Sequence, residues 1–171
     1  MHPSALRTGG NKMRIGQAPI ENPTSSLEQD TRRKRSNRHA ENRPADYRVL
    51  VVDDDAAVCD AVAKILSSFG YTVSRADDGL AAMSHLATSQ YDLVITDFDM
   101  PLMNGYRLSV WLKQESPGTI VVIMTAACQA EINQYMLTGL VDKWLFKPFG
   151  AEVLCEALST VGLPTDFCQT S

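Results

Sequence analysis

VLVVDDD, residues 49–55, decides how this chain is read. Val49, Leu50, Val51 and Val52 leave no polar face. That pattern suits a short strand buried on both sides, as in a parallel sheet covered by helices. Three aspartates follow where the strand ends. Asp55 is placed to cap a helix over residues 56–68, whose apolar stripe is Val58, Val62, Ile65, Leu66 and Phe69. Gly70 supplies the stop.

Strand and helix then alternate to the end of the pattern. Strands are expected at 71–75 (more polar, hence at an edge), 92–96, 119–124 and 143–146. Helices are expected at 78–87, 105–115, 128–138 and 149–161, with Pro117-Gly118 and Gly139 as breaks. Five strands alternating with five helices predict an α/β domain, a parallel sheet with helices on both faces.

Polar groups recur where the apolar runs end. Asp53, Asp54 and Asp55 follow the first run, Asp97 follows Leu93 to Thr96, Thr125 follows Ile120 to Met124, and Lys147-Pro148 follows Trp144 to Phe146. Ligands of open α/β sheets bind beyond the carboxyl ends of the strands, so these groups converge. Carboxylates, a hydroxyl and an ammonium together suit one divalent cation and one phosphoryl group. Asp97 is the candidate nucleophile. Asp54 and Asp97 offer hard oxygen ligands to Mg²⁺, with Asp53 beside them through a water and a backbone carbonyl nearby. Thr125 and Lys147 are placed to hold the phosphoryl oxygens. Lys147-Pro148 is also a candidate cis bond.

Composition narrows the partners. The 171 residues carry a net charge of -4, unevenly spread. Residues 1–46 hold nine Lys/Arg against five Asp/Glu, whereas 47–171 hold seven against fifteen. An acidic body favours cation binding over nucleic acid. Residues 1–46 read as a disordered basic tail, notable for the RRKR run at 32–35, and 162–171 read as a second tail. Cys59, Cys128, Cys155 and Cys168 show no paired spacing and read as reduced thiols. His85 reads as exposed. No run is long and apolar enough to span a membrane. The expected location is the cytoplasm.

Residues 48–161 resemble the receiver domain of bacterial response regulators. The resemblance rests on VLVVDDD (49–55), ITDFDMPLMNG (95–105), IMTA (123–126) and KPF (147–149), in that order and spacing. It implies a flavodoxin-like fold of strand order 2-1-3-4-5 in a receiver domain over 47–161. It also implies Asp97 as phosphoacceptor, Asp53 and Asp54 as an acidic metal pair, and the Asp99 backbone carbonyl as a further ligand of Mg²⁺. Thr125 becomes the switch hydroxyl, Lys147 the phosphate-contacting lysine, and Trp144 the aromatic switch position, where Tyr or Phe is commoner. Thr138-Gly139-Leu140 departs from the usual Ala-Gly-Ala. Asp99 and Ala127 fall on the two positions that tune self-dephosphorylation.

The expected function is a stand-alone response regulator receiver. It takes a phosphoryl group from a sensor histidine kinase or a histidine phosphotransfer protein and changes the affinity of the 128–161 face for a downstream protein. It is not expected to be an enzyme beyond catalysing its own phosphoryl transfer and dephosphorylation. It is expected as a monomer or a phosphorylation-dependent dimer. Two alternatives belong to other classes: a phosphorylation-independent interaction module, and nucleic-acid binding through the basic tail. A metabolic phosphatase fits less well, since no further general acid is evident.

Overall fold

The computed structural model describes residues 43–165. Strands β1 (Arg48–Val52), β2 (Thr72–Ala76), β3 (Leu93–Asp97), β4 (Ile120–Thr125) and β5 (Lys143–Phe146) alternate with helices α1 (Ala56–Ser68), α2 (Gly79–Thr88), α3 (Gly105–Glu115), α4 (Gln129–Met136) and α5 (Ala151–Thr160). All strand pairs are parallel, in the order β2-β1-β3-β4-β5. This is the flavodoxin-like receiver fold that the alternating pattern and the resemblance predict.

The helix ends follow local chemistry. Asp55, Asp78 and Asn104 cap α1, α2 and α3, each accepting backbone N–H groups of the first turn. Such a cap contributes about 1 kcal/mol. Gly70 takes φ +91° after α1, a conformation that side chains with a Cβ resist.

Alternation along the strands splits the core in two. Val49, Val51, Ile95, Val122 and Met124 pack against Val62 and Leu66 of α1 and Leu154 and Leu158 of α5. Leu50, Val52, Val94, Val121 and Ile123 pack against Ala82 of α2, Leu108 and Leu112 of α3, and Ile132 of α4. Each fully buried Leu or Ile contributes about 1.5–3 kcal/mol through burial. The more polar β2 lies at one edge, as expected. Among the described residues no helix is long and apolar enough to cross a membrane.

Four details depart from the expectations. A 3-10 turn at Pro44–Asp46 precedes β1, with Pro44 buried. Leu163 is buried in the core after α5, and the Tyr71 hydroxyl donates to the Pro164 carbonyl, so the packed body runs past 161. His85 is half-buried, with Nδ1 3.3 Å from the Tyr91 hydroxyl. Cys59 and Cys128 are free thiols, but Cys155 is disulfide-bonded, against the expectation of four reduced thiols. The Tyr71–Pro164 contact joins segments 93 residues apart, which local spacing does not encode. The basic run at 32–35 lies outside the described residues.

Candidate functional site

Register sets the level of the site. Val52 pairs with Thr96, so Asp53 and Asp97 emerge side by side from β1 and β3. Asp97 pairs with Met124, which puts Thr125 one residue beyond. Thr125 pairs with Phe146, which puts Lys147 one residue beyond that.

Three of these side chains meet. The Lys147 ammonium donates to Asp53 Oδ2 at 2.9 Å and to Asp97 Oδ1 at 2.5 Å. The remaining carboxylate oxygens take backbone donors. Asp53 Oδ1 accepts the Asp55 N–H at 2.9 Å, and Asp97 Oδ2 accepts the Asp99 N–H at 2.7 Å. Both carboxylates are buried while the lysine is half-buried. The Lys147–Pro148 bond is cis. Thr125 is buried at the end of β4, and its Oγ1 accepts the Ala127 N–H at 2.9 Å. That bond uses a lone pair and leaves the hydroxyl proton available to a ligand.

Two carboxylates share one ammonium, so the cluster carries a net charge of about -1 out of water. Burial pushes the Asp97 carboxyl up from its ordinary value of 3.8; the Lys147 hydrogen bond and charge oppose this without cancelling it, and the neighbouring Asp53 adds to it. Burial alone would lower Lys147, but its hydrogen bonds to Asp53 and Asp97 and their charges prevail, and its ammonium is held above 10.5. The lysine is therefore a fixed positive charge.

The expected site residues do not all gather there. Asp54 and Asp99 are exposed at the rim. The buried carboxylate of the DDD run is Asp53, turned inward by the Asp55 N–H. Among the described residues no group of three or more His, Cys, Asp or Glu is assembled that could hold a metal ion. The pair of buried carboxylates with excess negative charge still fits a hard cation such as Mg²⁺ in donor chemistry.

Trp144 is buried away from this cluster, its ring 5.8 Å from that of Phe98. Phe98 also stacks edge-on with Tyr135 of α4 at 5.3 Å, and Tyr135 lies 4.7 Å from Tyr106 of α3. Aromatic pairs of this kind contribute about 0.5–1.5 kcal/mol beyond their buried area.

Two residues of the site escaped the sequence reading. One is Phe98. The other is Gly105, the first residue of α3, where an added Cβ would overlap the Asp97 carbonyl oxygen and crowd the Thr96 side chain at 2.9 Å. A glycine opening a helix directly after an Asn cap was the available signal of close backbone approach.

Known proteins place this geometry. Residues 49–159 match the response regulator receiver domain family. The sensor histidine kinase RcsC of Salmonella typhimurium is 37% identical over 114 residues, which cover 67% of this chain and 12% of that protein. The response regulator MprA of Mycobacterium ulcerans is 34% identical over 107 residues, covering 63% of this chain and 46% of that protein. The chain thus spans less than half the length of either relative. The chemotaxis response regulator CheY4 of Vibrio cholerae superposes with a TM-score of 0.63 at 30% identity, covering 67% of this chain and 98% of that one. The family match across most of the packed body, together with the shared fold, shows that this chain belongs to the response regulator receiver domain family of two-component signalling.

Proposed function

We propose that Asp97 is the phosphoacceptor of this receiver, with a phosphohistidine of a sensor kinase or phosphotransfer protein as donor. The observation that carries the reading is the buried Asp53–Lys147–Asp97 cluster at the carboxyl end of the sheet. In the step proposed, an Asp97 carboxylate oxygen forms a bond to phosphorus as the donor's phosphorus–nitrogen bond breaks. The bonding pair leaves with the imidazole nitrogen.

The chain's own residues prepare that step. Lys147 stays protonated and offers its ammonium to a phosphoryl oxygen. Thr125 offers its hydroxyl proton to another. The Asp99 N–H orients the Asp97 carboxylate through Oδ2. Asp53 and Asp97, with Asp54 and the Asp99 carbonyl from the rim, would hold Mg²⁺, which when bound supplies positive charge to the phosphoryl oxygens. The acyl phosphate adds about -1.5 to -2 charge beside Lys147 and Thr125. Movement of Thr125 toward it carries the β4–α4 segment and changes the face built from α4, β5 and α5 for a downstream protein. The cytoplasm, where such donors use ATP, is the location proposed.

Intact mass after incubation with Mg²⁺ and acetyl phosphate tests the assignment. The wild type gains one phosphoryl mass, removed by base, and Asp97→Asn gains none. Uptake by the variant would overturn the site. No uptake by the wild type from any donor would instead favour a phosphorylation-independent interaction module.

A further inference from the structure

Phe98, the neighbour of Asp97, is pinned through its backbone N–H and its backbone carbonyl. The Phe98 N–H donates to the Met124 carbonyl at 2.7 Å, and the Phe98 carbonyl accepts the Gly105 N–H at 3.1 Å. The first bond reaches the residue before Thr125, and the second reaches the first turn of α3. The Phe98 ring, only 8% exposed, meets Trp144 of β5 and Tyr135 of α4, and Tyr135 continues to Tyr106 of α3. The Phe98 ring, from the loop after β3, thus joins three rings from β5, α4 and α3 in one cluster beside the acceptor. Trp144 is already inside this cluster at 9% exposure. An outward-to-inward rotation of residue 144 therefore has no starting point here.

We propose that Phe98 is a positioning residue that couples Asp97 directly to α4: its ring converts displacement of the acceptor's backbone into movement of Tyr135, while Trp144 stays buried throughout. The inference rests on the reading of Asp97 as acceptor. Close packing makes the coupling physical, because buried rings in mutual contact have few alternative arrangements and shift together. The coupling is also reciprocal in free energy, so a protein bound to α4 would alter the phosphorylation equilibrium of Asp97.

The experiment uses the chain's two tryptophans, Trp111 and Trp144. Trp111→Phe leaves Trp144 as the sole reporter. Emission and acrylamide quenching are recorded before and after acetyl phosphate with Mg²⁺, with phosphoryl content read by intact mass in the same samples. In the Trp111→Phe protein, phosphorylation is expected to shift emission as Tyr135 moves, without a change in quenching. Adding Phe98→Leu, which keeps an apolar side chain but removes the ring, abolishes the shift at equal phosphoryl content. Phe98→Tyr restores it. A purely structural role would lower the melting temperature of Phe98→Leu but leave its emission shift intact, which overturns the proposal. So does a fall in quenching on phosphorylation, which would show Trp144 moving inward, or a phosphorylated protein with no emission shift. If no phosphoryl mass appears in the Trp111→Phe protein but does in the unaltered chain, Trp111→Tyr takes its place and Trp144 is read there, by selective excitation of tryptophan, with the same criteria. Absence of phosphoryl mass in both brings down the acceptor assignment itself and this inference with it.

Discussion

The two ends of the sheet use the same residue types to opposite effect. At the amino ends of the strands, opposite charges are matched. Asp142 Oδ2 accepts both the Lys113 ammonium at 2.7 Å and the Val121 N–H at 2.8 Å, and Lys113 also donates to the Thr119 carbonyl. Asp92 takes the Arg48 N–H at 2.8 Å, while the Arg48 guanidinium lies over the Tyr91 ring. At the carboxyl ends, two buried carboxylates compete for one ammonium. The amino end is a set of fasteners. The carboxyl end is a charge imbalance held in place by the fold, and the imbalance is what a cation and a phosphoryl group can relieve.

Lys147→Met attacks the imbalance most directly. It leaves Asp53 and Asp97 buried without their shared cation. Breaking a fully buried pair costs about 3–5 kcal/mol; the 23% exposure of the Lys147 side chain reduces the expected loss to about 2–3 kcal/mol at pH 7. Loss of the oxygen-binding ammonium lowers phosphoryl uptake by about a hundredfold or more. Because the folded Lys147 titrates above 10.5, its stabilisation is present below that value and vanishes as pH rises through the folded one. Denaturant melts from pH 7 to 11 should show the wild type losing stability at the top of the range and the variant lacking that loss. Equal stability at pH 7 would break the contrast between the two ends.

Asp142→Ala probes the other end. It strips a partner from Lys113 and from the Val121 N–H, for an expected cost of about 1–3 kcal/mol. Phosphoryl uptake by the folded protein should be unchanged. A large drop in uptake at full folding would show that the ends are not separate in function.

The smallest effect sharpens the comparison. Asp97 is held above 3.8 mainly by burial, so its ionised form costs stability at neutral pH. Protonation stabilises the fold fully below 3.8 and the benefit disappears as pH rises through the folded value. Asp97→Asn, neutral at every pH, should therefore melt higher than the wild type at pH 7, by a margin that shrinks toward pH 4. A margin that grows on acidification would reverse the assigned direction.

Much of this was legible in the sequence because strand ends are marked chemically. An apolar run followed by Asp, Thr or Lys announces both the strand and the side chain that it delivers, as at Val52-Asp53, Ile95-Thr96-Asp97 and Phe146-Lys147. The inner member of the DDD run was not legible, since Asp53 turns inward through a hydrogen bond to Asp55 that spacing does not show. Nor was the aromatic cluster, whose members lie on β5, α3, α4 and the loop after β3 and meet only through the fold. Gly105 was quoted within a motif without its reason, which is a backbone approach to Asp97.

The two rims of the sheet carry a last consequence. A rim strand offers unpaired backbone groups on which a second sheet can grow. Here β2 carries the polar residues Thr72, Ser74 and Arg75, with Arg75 tied to Asp60 of α1 and the Thr72 hydroxyl donating to the Ala45 carbonyl. The opposite rim, β5, is only four residues long and begins with Lys143. Neither is a good template for sheet extension, so crowding many copies together should not drive them into edge-to-edge aggregates.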